Sequence, residues 1–448
     1  MKLKTYLKKD LYLIAGLLRS NGVILALIIL SYFATYALNI YLANLLKPVL
    51  YGDVSIVFQL LMFSLPFALI GTELSMMHYL PKYFEEKDYE HASGFLRWNL
   101  RLLVWATIFI LLLGAIIAVF ALILERFGYH NIETYHIILF SFWLIPLFAF
   151  IVWLATILQT LRRYYWAASF RGFAVSFMII LTIVIFLSLF ENSWIGAYKR
   201  VWSILLCIGI AYFVIILIEI LTIYYKLPHE IYHVEPKFLK KNWFKHSFEM
   251  LGSFVGYTAL AAIEIMLIEV VGENESMVGH FASIIVIGSS VMVFALAVDI
   301  FVNPHISSLV HKNKVHLQSI LDIVNLFKLI PGLIISLFIL FFGQWLLEHF
   351  GKGFEGAYPA LLILLVGYLA GLALGSAMPV LIYSGHHILN FKISLWQLAV
   401  ITLLSLILIP LFGIEGAALS LSLTILFSGV LRSIFVRKYL DINIFFFV

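Results

Sequence analysis

Twelve apolar stretches dominate this chain and decide what it can fold into. They lie near residues 22–46, 54–80, 100–123, 136–159, 169–190, 201–225, 249–271, 277–302, 322–346, 358–383, 393–412 and 416–436 of 448. A helix that crosses the hydrocarbon core of a bilayer needs about 20 apolar residues. In lipid the backbone must also satisfy its own hydrogen bonds, which a helix does within one segment. Composition agrees: 63% of the residues are hydrophobic and 12% charged, against roughly a quarter charged in a soluble domain. The expected fold class is an all-α integral membrane protein with twelve transmembrane helices, numbered here spans 1 to 12.

The distribution of basic residues tests that count. Cytoplasmic loops of membrane proteins carry an excess of Lys and Arg. With the N-terminus in the cytoplasm, 24 of the 29 basic residues fall on the cytoplasmic side. Only Lys47, Arg126, Lys199, Arg200 and Lys352 fall on the other side. A missed span would scramble this partition, so the chain is expected to be multi-pass with both termini cytoplasmic. Met1 to Ser20 is basic and weakly amphipathic, without a small-residue cleavage site, and reads as a tail or interfacial helix.

Several functions are disfavoured at this point. The net charge of +5 is spread over membrane-flanking loops, which does not suggest a nucleic-acid partner. The single cysteine, Cys207, excludes an intramolecular disulfide and a Cys-based zinc cluster. No GxxxxGK[ST] phosphate loop is present, and "GKGFEG" (Gly351 to Gly356) lacks the required Lys–Ser/Thr spacing. External loops are short and leave no room for a catalytic domain. An enzyme is not expected, and no cofactor is implied.

The longest polar break, "KLPHEIYHVEPKFLKKNWFKH" (Lys226 to His246), divides the spans six and six. The expected organisation is an N-terminal lobe (1–225), a cytoplasmic linker (226–247) and a C-terminal lobe (248–448). An even number of spans per half makes any repeat parallel rather than inverted. "NIYLANLLKPVLYGDVSIV" from Asn39 and "EIMLIEVVGENESMVGHFASI" from Glu264 are weakly alike, with Gly52 matching Gly279. Phe170–Arg171 likewise answers Phe391–Lys392, followed by Gly196 and Gly416.

Ionisable residues inside spans are costly and default to functional candidates. Glu264 lies in span 7, with Ser253 and Tyr257 on the same helical face. It is a candidate cation or proton site, or a hydrogen-bond partner for a neighbouring helix. Glu73, with Gln59 on one face of span 2, is a second ion-coupling candidate, or a buried acid paired with a base such as Arg101. Asp299, near Asn303 at the cytoplasmic end of span 8, is a third, with interfacial capping as the alternative. Asn39, in mid-span 1, would face Glu264 if the halves are pseudo-symmetric, and is otherwise helix-packing glue.

"IPLFGIEGAALSLSLT" (Ile409 to Thr424) resembles a signature near the C-terminus of polysaccharide flippases of the multidrug/oligosaccharidyl-lipid/polysaccharide exporter superfamily. Other pieces follow in the same order. "YGDVSIVFQLLMFSLPFALIGTELSMMHYLPKYF" (Tyr51 to Phe84) resembles that family's span 2, and "FVNPHISSLV" carries the proline that closes span 8. "FGKGFEGAYPALLILLVGYL" resembles its turn into span 10. The resemblance covers nearly the whole chain. His78 stands where relatives often carry Arg, and His280–Phe281 replaces a usual x–Tyr. The opening stretch itself reads as a packing hairpin: Pro410 ends span 11, Gly413 and Gly416 permit a tight turn, and small residues let span 12 approach its neighbours.

The resemblance implies two pseudo-symmetric six-helix lobes around a central cavity, in the bacterial inner (cytoplasmic) membrane. It implies flipping of a polyprenyl-pyrophosphate-linked oligosaccharide for O-antigen or other surface polysaccharide, by alternating access. H+ or Na+ coupling would use Glu264, Glu73 and Asp299. Beyond the lipid-linked substrate and membrane lipids, a glycan polymerase or ligase complex would be the partner. A pyrophosphate head group needs basic side chains, since charge-assisted bonds to phosphate are strong. Arg101, Arg171 and Lys328, each slightly inside a span, are the candidates, with snorkelling to the interface as their alternative. Asn39 joins them as a polar substrate contact. The competing function is a drug/cation antiporter of the same superfamily, which would not need the basic anchors.

Overall fold

Lys47 cannot continue the first helix, because the ring of Pro48 crowds the helical conformation of the residue before it. In the computed structural model Lys47 has φ 64° and ψ 171°, which breaks the long helix Gly22–Leu69 into spans 1 and 2. The Tyr51 hydroxyl donates to Asn39 Oδ1 at 2.9 Å. Twelve residues along an unbroken helix would separate them by roughly 18 Å, so the chain folds back at this point. The structure describes residues 22–127, 136–189, 197–310 and 313–444. The expected cytoplasmic tail, and the side chains of Ser253, Tyr257 and Asn303, lie outside the described residues.

Helix occupies all twelve apolar segments. Tyr89–Arg126, Ala197–Lys226, Lys240–Val271 and Lys314–Glu348 are long single helices for spans 3, 6, 7 and 9. Span 8 is broken: Ser276–Gly288 and Ser290–Asp299 meet at 48°. Spans 11 and 12 share the helix His387–Leu440, which breaks at Gly413 (φ 60°, ψ −132°). The break falls three residues beyond Pro410, where the sequence places the end of span 11. Proline removes one hydrogen bond to the preceding turn, whereas the positive φ at Gly413 is what turns the chain. Ser405 and Ser420 then sit 3.0 Å apart, where fifteen residues of continuous helix would give roughly 22 Å.

The helices cluster into two compact units that do not follow chain order. One holds the described residues of Met1–Gly52 and Ile263–Val448; the other is Asp53–Ala262. Close glycine contacts account for this. In the first unit span 1 ends on span 8: a Cβ at Gly52 would lie 3.1 Å from Gly279 N, and one at Gly279 would lie 2.0 Å from Pro48 O. The two glycines that match in the internal repeat thus meet each other. In the second unit the turn at Gly71 packs on the start of span 7, where a Cβ would lie 2.1 Å from Ser247 O. Ser247 donates to Ser75 at 2.7 Å, and the Trp243 indole donates to the Tyr83 hydroxyl at 3.1 Å.

The obstruction at Gly279 is backbone, which cannot rotate aside. Gly279→Ala is expected to destabilise the folded protein by about 3 kcal/mol, at the upper end of overpacking effects. Thermal unfolding in detergent, compared with an Ala substitution at the open position Gly356, checks this.

Candidate functional site

Each unit buries charged and polar side chains at the level of its spans. In the first unit the centre is Glu264 on span 7, fully buried at 0% exposure. The hairpin at Gly413 brings two serines to it. Ser405 Oγ lies 2.7 Å from Oε2, and Ser420 Oγ lies 2.7 Å from Oε1. Each hydroxyl also reaches a carbonyl of its own helix, Ile401 O at 2.7 Å and Ala417 O at 2.9 Å.

A hydroxyl has one proton to donate. With Glu264 ionised, both serines point at the carboxylate. With Glu264 protonated, the acid donates to one serine, which then turns to its backbone carbonyl. The cluster satisfies its hydrogen bonds in both states, and among the described residues no Lys or Arg pairs with Glu264. Such an arrangement can take up and release a single positive charge. Sequence reasoning identified Glu264 but not Ser405 or Ser420. Small residues around Gly413 signalled close packing, and only the folded hairpin turns two of them into ligands.

Lys328 and Asp299, expected as a substrate contact and an ion-coupling acid, form an ion pair with each other. Lys328 is only 2% exposed, so it does not snorkel. Its ammonium also donates to Ser376 Oγ at 3.3 Å, and Ser376 donates to Asn325 Oδ1 at 2.6 Å. Asn325 in turn donates to Ile444 O at 3.2 Å. Asp299 is therefore not an interfacial cap: it neutralises a buried cation. Asn39 donates to Thr35 O at 2.8 Å and accepts from Tyr51, which is the packing role rather than a contact with Glu264.

Arg432 was counted among the topology-setting charges, yet it is 8% exposed. Its Nε donates to Asn390 Oδ1 at 3.0 Å, and Nη2 donates to Gln397 Oε1 at 2.9 Å and Ser394 Oγ at 3.3 Å. These partners are neutral. Among the described residues no carboxylate pairs with Arg432, so its charge is solvated but not cancelled. Asn390, Ser394 and Gln397 fall on one face of span 11 by helical spacing, a polar stripe that could have been noticed in the sequence.

In the second unit Glu73 pairs with Arg171, Nη2 to Oε1 at 2.8 Å, and Arg171 also donates to Thr156 at 2.6 Å. The base beside Glu73 is thus Arg171 and not Arg101, which is exposed on its own helix. Helix Tyr164–Arg171 ends on the arginine, and the break at Gly172 aims it back toward spans 2 and 4. His78 stacks on His246 with ring centroids 4.8 Å apart. Among the described residues no group of three or more His, Cys, Asp or Glu side chains could hold a metal ion.

No protein-family model and no curated protein sequence matches this chain. Its fold does match solved structures. One is the inward-facing conformation of a multidrug resistance MATE family transporter of the MOP superfamily, with TM-score 0.72 and 14% identity over 94% of this chain and 98% of that one. An outward-facing conformation of such a transporter gives 0.65 at 14% identity, over 97% and 98%. The Vibrio cholerae MATE transporter VcmN in its bent form gives 0.57 at 15% identity, over 98% of each chain. At such identities the likeness establishes a shared all-helical fold along nearly the whole length.

Proposed function

We propose that this chain is a membrane transporter that flips a polyprenyl-pyrophosphate-linked oligosaccharide across the cytoplasmic membrane by alternating access. Glu264 carries this reading: a buried acid, without a basic partner among the described residues, held by two hydroxyls from the span 11–12 hairpin. That cluster suits reversible binding of H+ or Na+, as an ion-coupled transporter needs. The fold shared with proteins solved in inward-facing and outward-facing conformations supports alternation. The ordered sequence motifs support the lipid-linked glycan.

The proposed head-group contacts then acquire an order. Arg101 is exposed and can meet a phosphate directly. Arg171 and Lys328 can do so only by leaving Glu73 and Asp299. In either unit, phosphate binding would therefore compete with that unit's own ion pair and free its acid, which links substrate to ion binding through the same charges. Arg432, which no acid pairs among the described residues, adds positive potential inside the first unit without such competition.

A second reading, a drug/cation antiporter, is favoured by one observation: two of the three basic candidates are already neutralised. A strain lacking the protein separates the two. Undecaprenyl-linked repeat units should accumulate while surface polysaccharide disappears. Normal glycan pools with retention of cationic dyes would replace the flippase reading with the antiporter.

A further inference from the structure

Span 6 carries a single acid, Glu219, in "VIILIEILTIYY". It is 0% exposed, and among the described residues neither carboxylate oxygen has a hydrogen-bond partner. The helices packed along span 6, Leu144–Thr160 and Phe173–Leu189, contain no ionisable residue. A third, His136–Ser141, meets span 6 near Trp202, roughly 25 Å along the helix from Glu219. On its own helix Glu219 is flanked one turn away by Ile215, Ile216 and Ile223, and by Thr222, whose hydroxyl is bonded to Ile218 O. Span 4 runs beside span 6 in the same direction, with Trp143 against Gly209 and the Phe148 ring 5.8 Å from that of Tyr212, so Thr156 lies at the level of Glu219, and the guanidinium bonded to Thr156 is that of Arg171. That guanidinium is already held by Glu73 and Thr156.

An ionised carboxylate with neither a partner nor water is too costly to keep, and such a group takes a proton instead. Two acids and one guanidinium therefore lie at one level of this unit, and one proton on the pair of acids balances the charge. In the geometry observed, Glu73 holds the cation, so the proton belongs on Glu219.

We propose that Glu219 is a proton-binding site of the unit Asp53–Ala262, and that Arg171 is the counter-charge exchanged between Glu73 and Glu219. Loss of the Glu219 proton to water leaves a carboxylate that draws Arg171 away from Glu73. Glu73, left without its guanidinium, then takes up a proton or a cation in its place. The arrangement is a proton-operated switch within one unit, separate from the Glu264 cluster, and it holds for either transported substrate. The rule that singled out Glu264 in the sequence applies equally to Glu219.

Infrared difference spectroscopy on the full-length protein in lipid tests this through the carbonyl stretch of a protonated carboxyl. The wild type should show a band at neutral pH that is absent in Glu219→Gln and titrates away in alkali. Glu73→Gln, which frees Arg171 to meet Glu219, should lower the midpoint by about one to about three pH units. Arg171→Gln should raise it. Glu219→Gln keeps the shape of the protonated acid and should leave thermal stability unchanged. A spectrum that is the same in wild type and Glu219→Gln overturns the proposal. So does a midpoint indifferent to both Glu73→Gln and Arg171→Gln, or a Glu219→Gln protein that is strongly destabilised.

Discussion

Glu264→Gln is expected to remove the gradient-driven component of transport while leaving the fold intact. Glutamine reproduces the shape of the protonated acid, and its amide can still hydrogen-bond Ser405 and Ser420. It cannot accept a proton, and it offers a sodium ion no charge. One coupled charge moving through a potential of about 100 mV supplies about 2.3 kcal/mol. Losing it should cut the accumulation ratio by about 50-fold. Ser405→Ala and Ser420→Ala each remove one hydroxyl from a site that keeps its charge, and should cost about 1 kcal/mol of ion affinity. Transport in proteoliposomes with imposed pH or sodium gradients is the measurement. Gradient dependence that survives Glu264→Gln unchanged would move the coupling site elsewhere.

Asp299→Asn is expected to be the most destabilising charge substitution in the first unit, at about 3 kcal/mol. It leaves the Lys328 ammonium buried with neutral acceptors alone, the amide oxygen of the new asparagine and Ser376 Oγ at 3.3 Å, and no countercharge. The reverse change is milder. The Asp299 side chain is 32% exposed, against 2% for Lys328, so water can solvate the acid once the cation has gone. Lys328→Met also puts an uncharged side chain of similar volume on the helix face that carries Leu321 and Val324, both members of a buried apolar cluster. The double variant Asp299→Asn with Lys328→Met should regain most of the stability lost in Asp299→Asn alone, since no unpaired buried charge remains. Thermal unfolding of the three purified proteins reads this directly. Equal losses in both single variants would mean that the pair is solvated alike at its two ends.

The spans were legible because their signal is local. A bilayer demands about twenty apolar residues in a row, and the basic residues between them report on which side each loop lies. Breaks were legible less exactly. Pro410, Gly413 and Gly416 together marked the span 11–12 hairpin, and the structure makes the turn at Gly413, where φ is positive. Lys47 needed the ring of Pro48 behind it to be recognised as a breaking point.

Individual site residues divide differently. Glu264, Glu73, Asp299, Lys328 and Arg171 were all recognisable as charges where charge is costly. Their partners were not. Arg101 was only an example of a base that Glu73 could meet, and Asp299 and Lys328 stood as independent sites, because pairing joins residues from different spans. Arg432 was taken as a loop charge because it lies one turn from the end of the chain's last apolar segment. Glu219 was overlooked because no other charged residue stands near it in its span. In the folded protein that isolation is what marks it.

By itself, then, the sequence determined that this protein is a helical membrane bundle built on twelve apolar segments, with an expected orientation and a short roster of costly charges. Each of those follows from the free energy of a segment against lipid or water, which is additive along the chain. Only the tertiary structure decided that Glu73 meets Arg171, that Lys328 meets Asp299, that Glu264 meets two serines, and that Glu219 meets none of them. Those outcomes depend on how closely helices approach at Gly52, Gly71, Gly279 and Gly413. A hydrogen bond or ion pair acts over a few ångströms between residues far apart in the chain, and no local pattern encodes it.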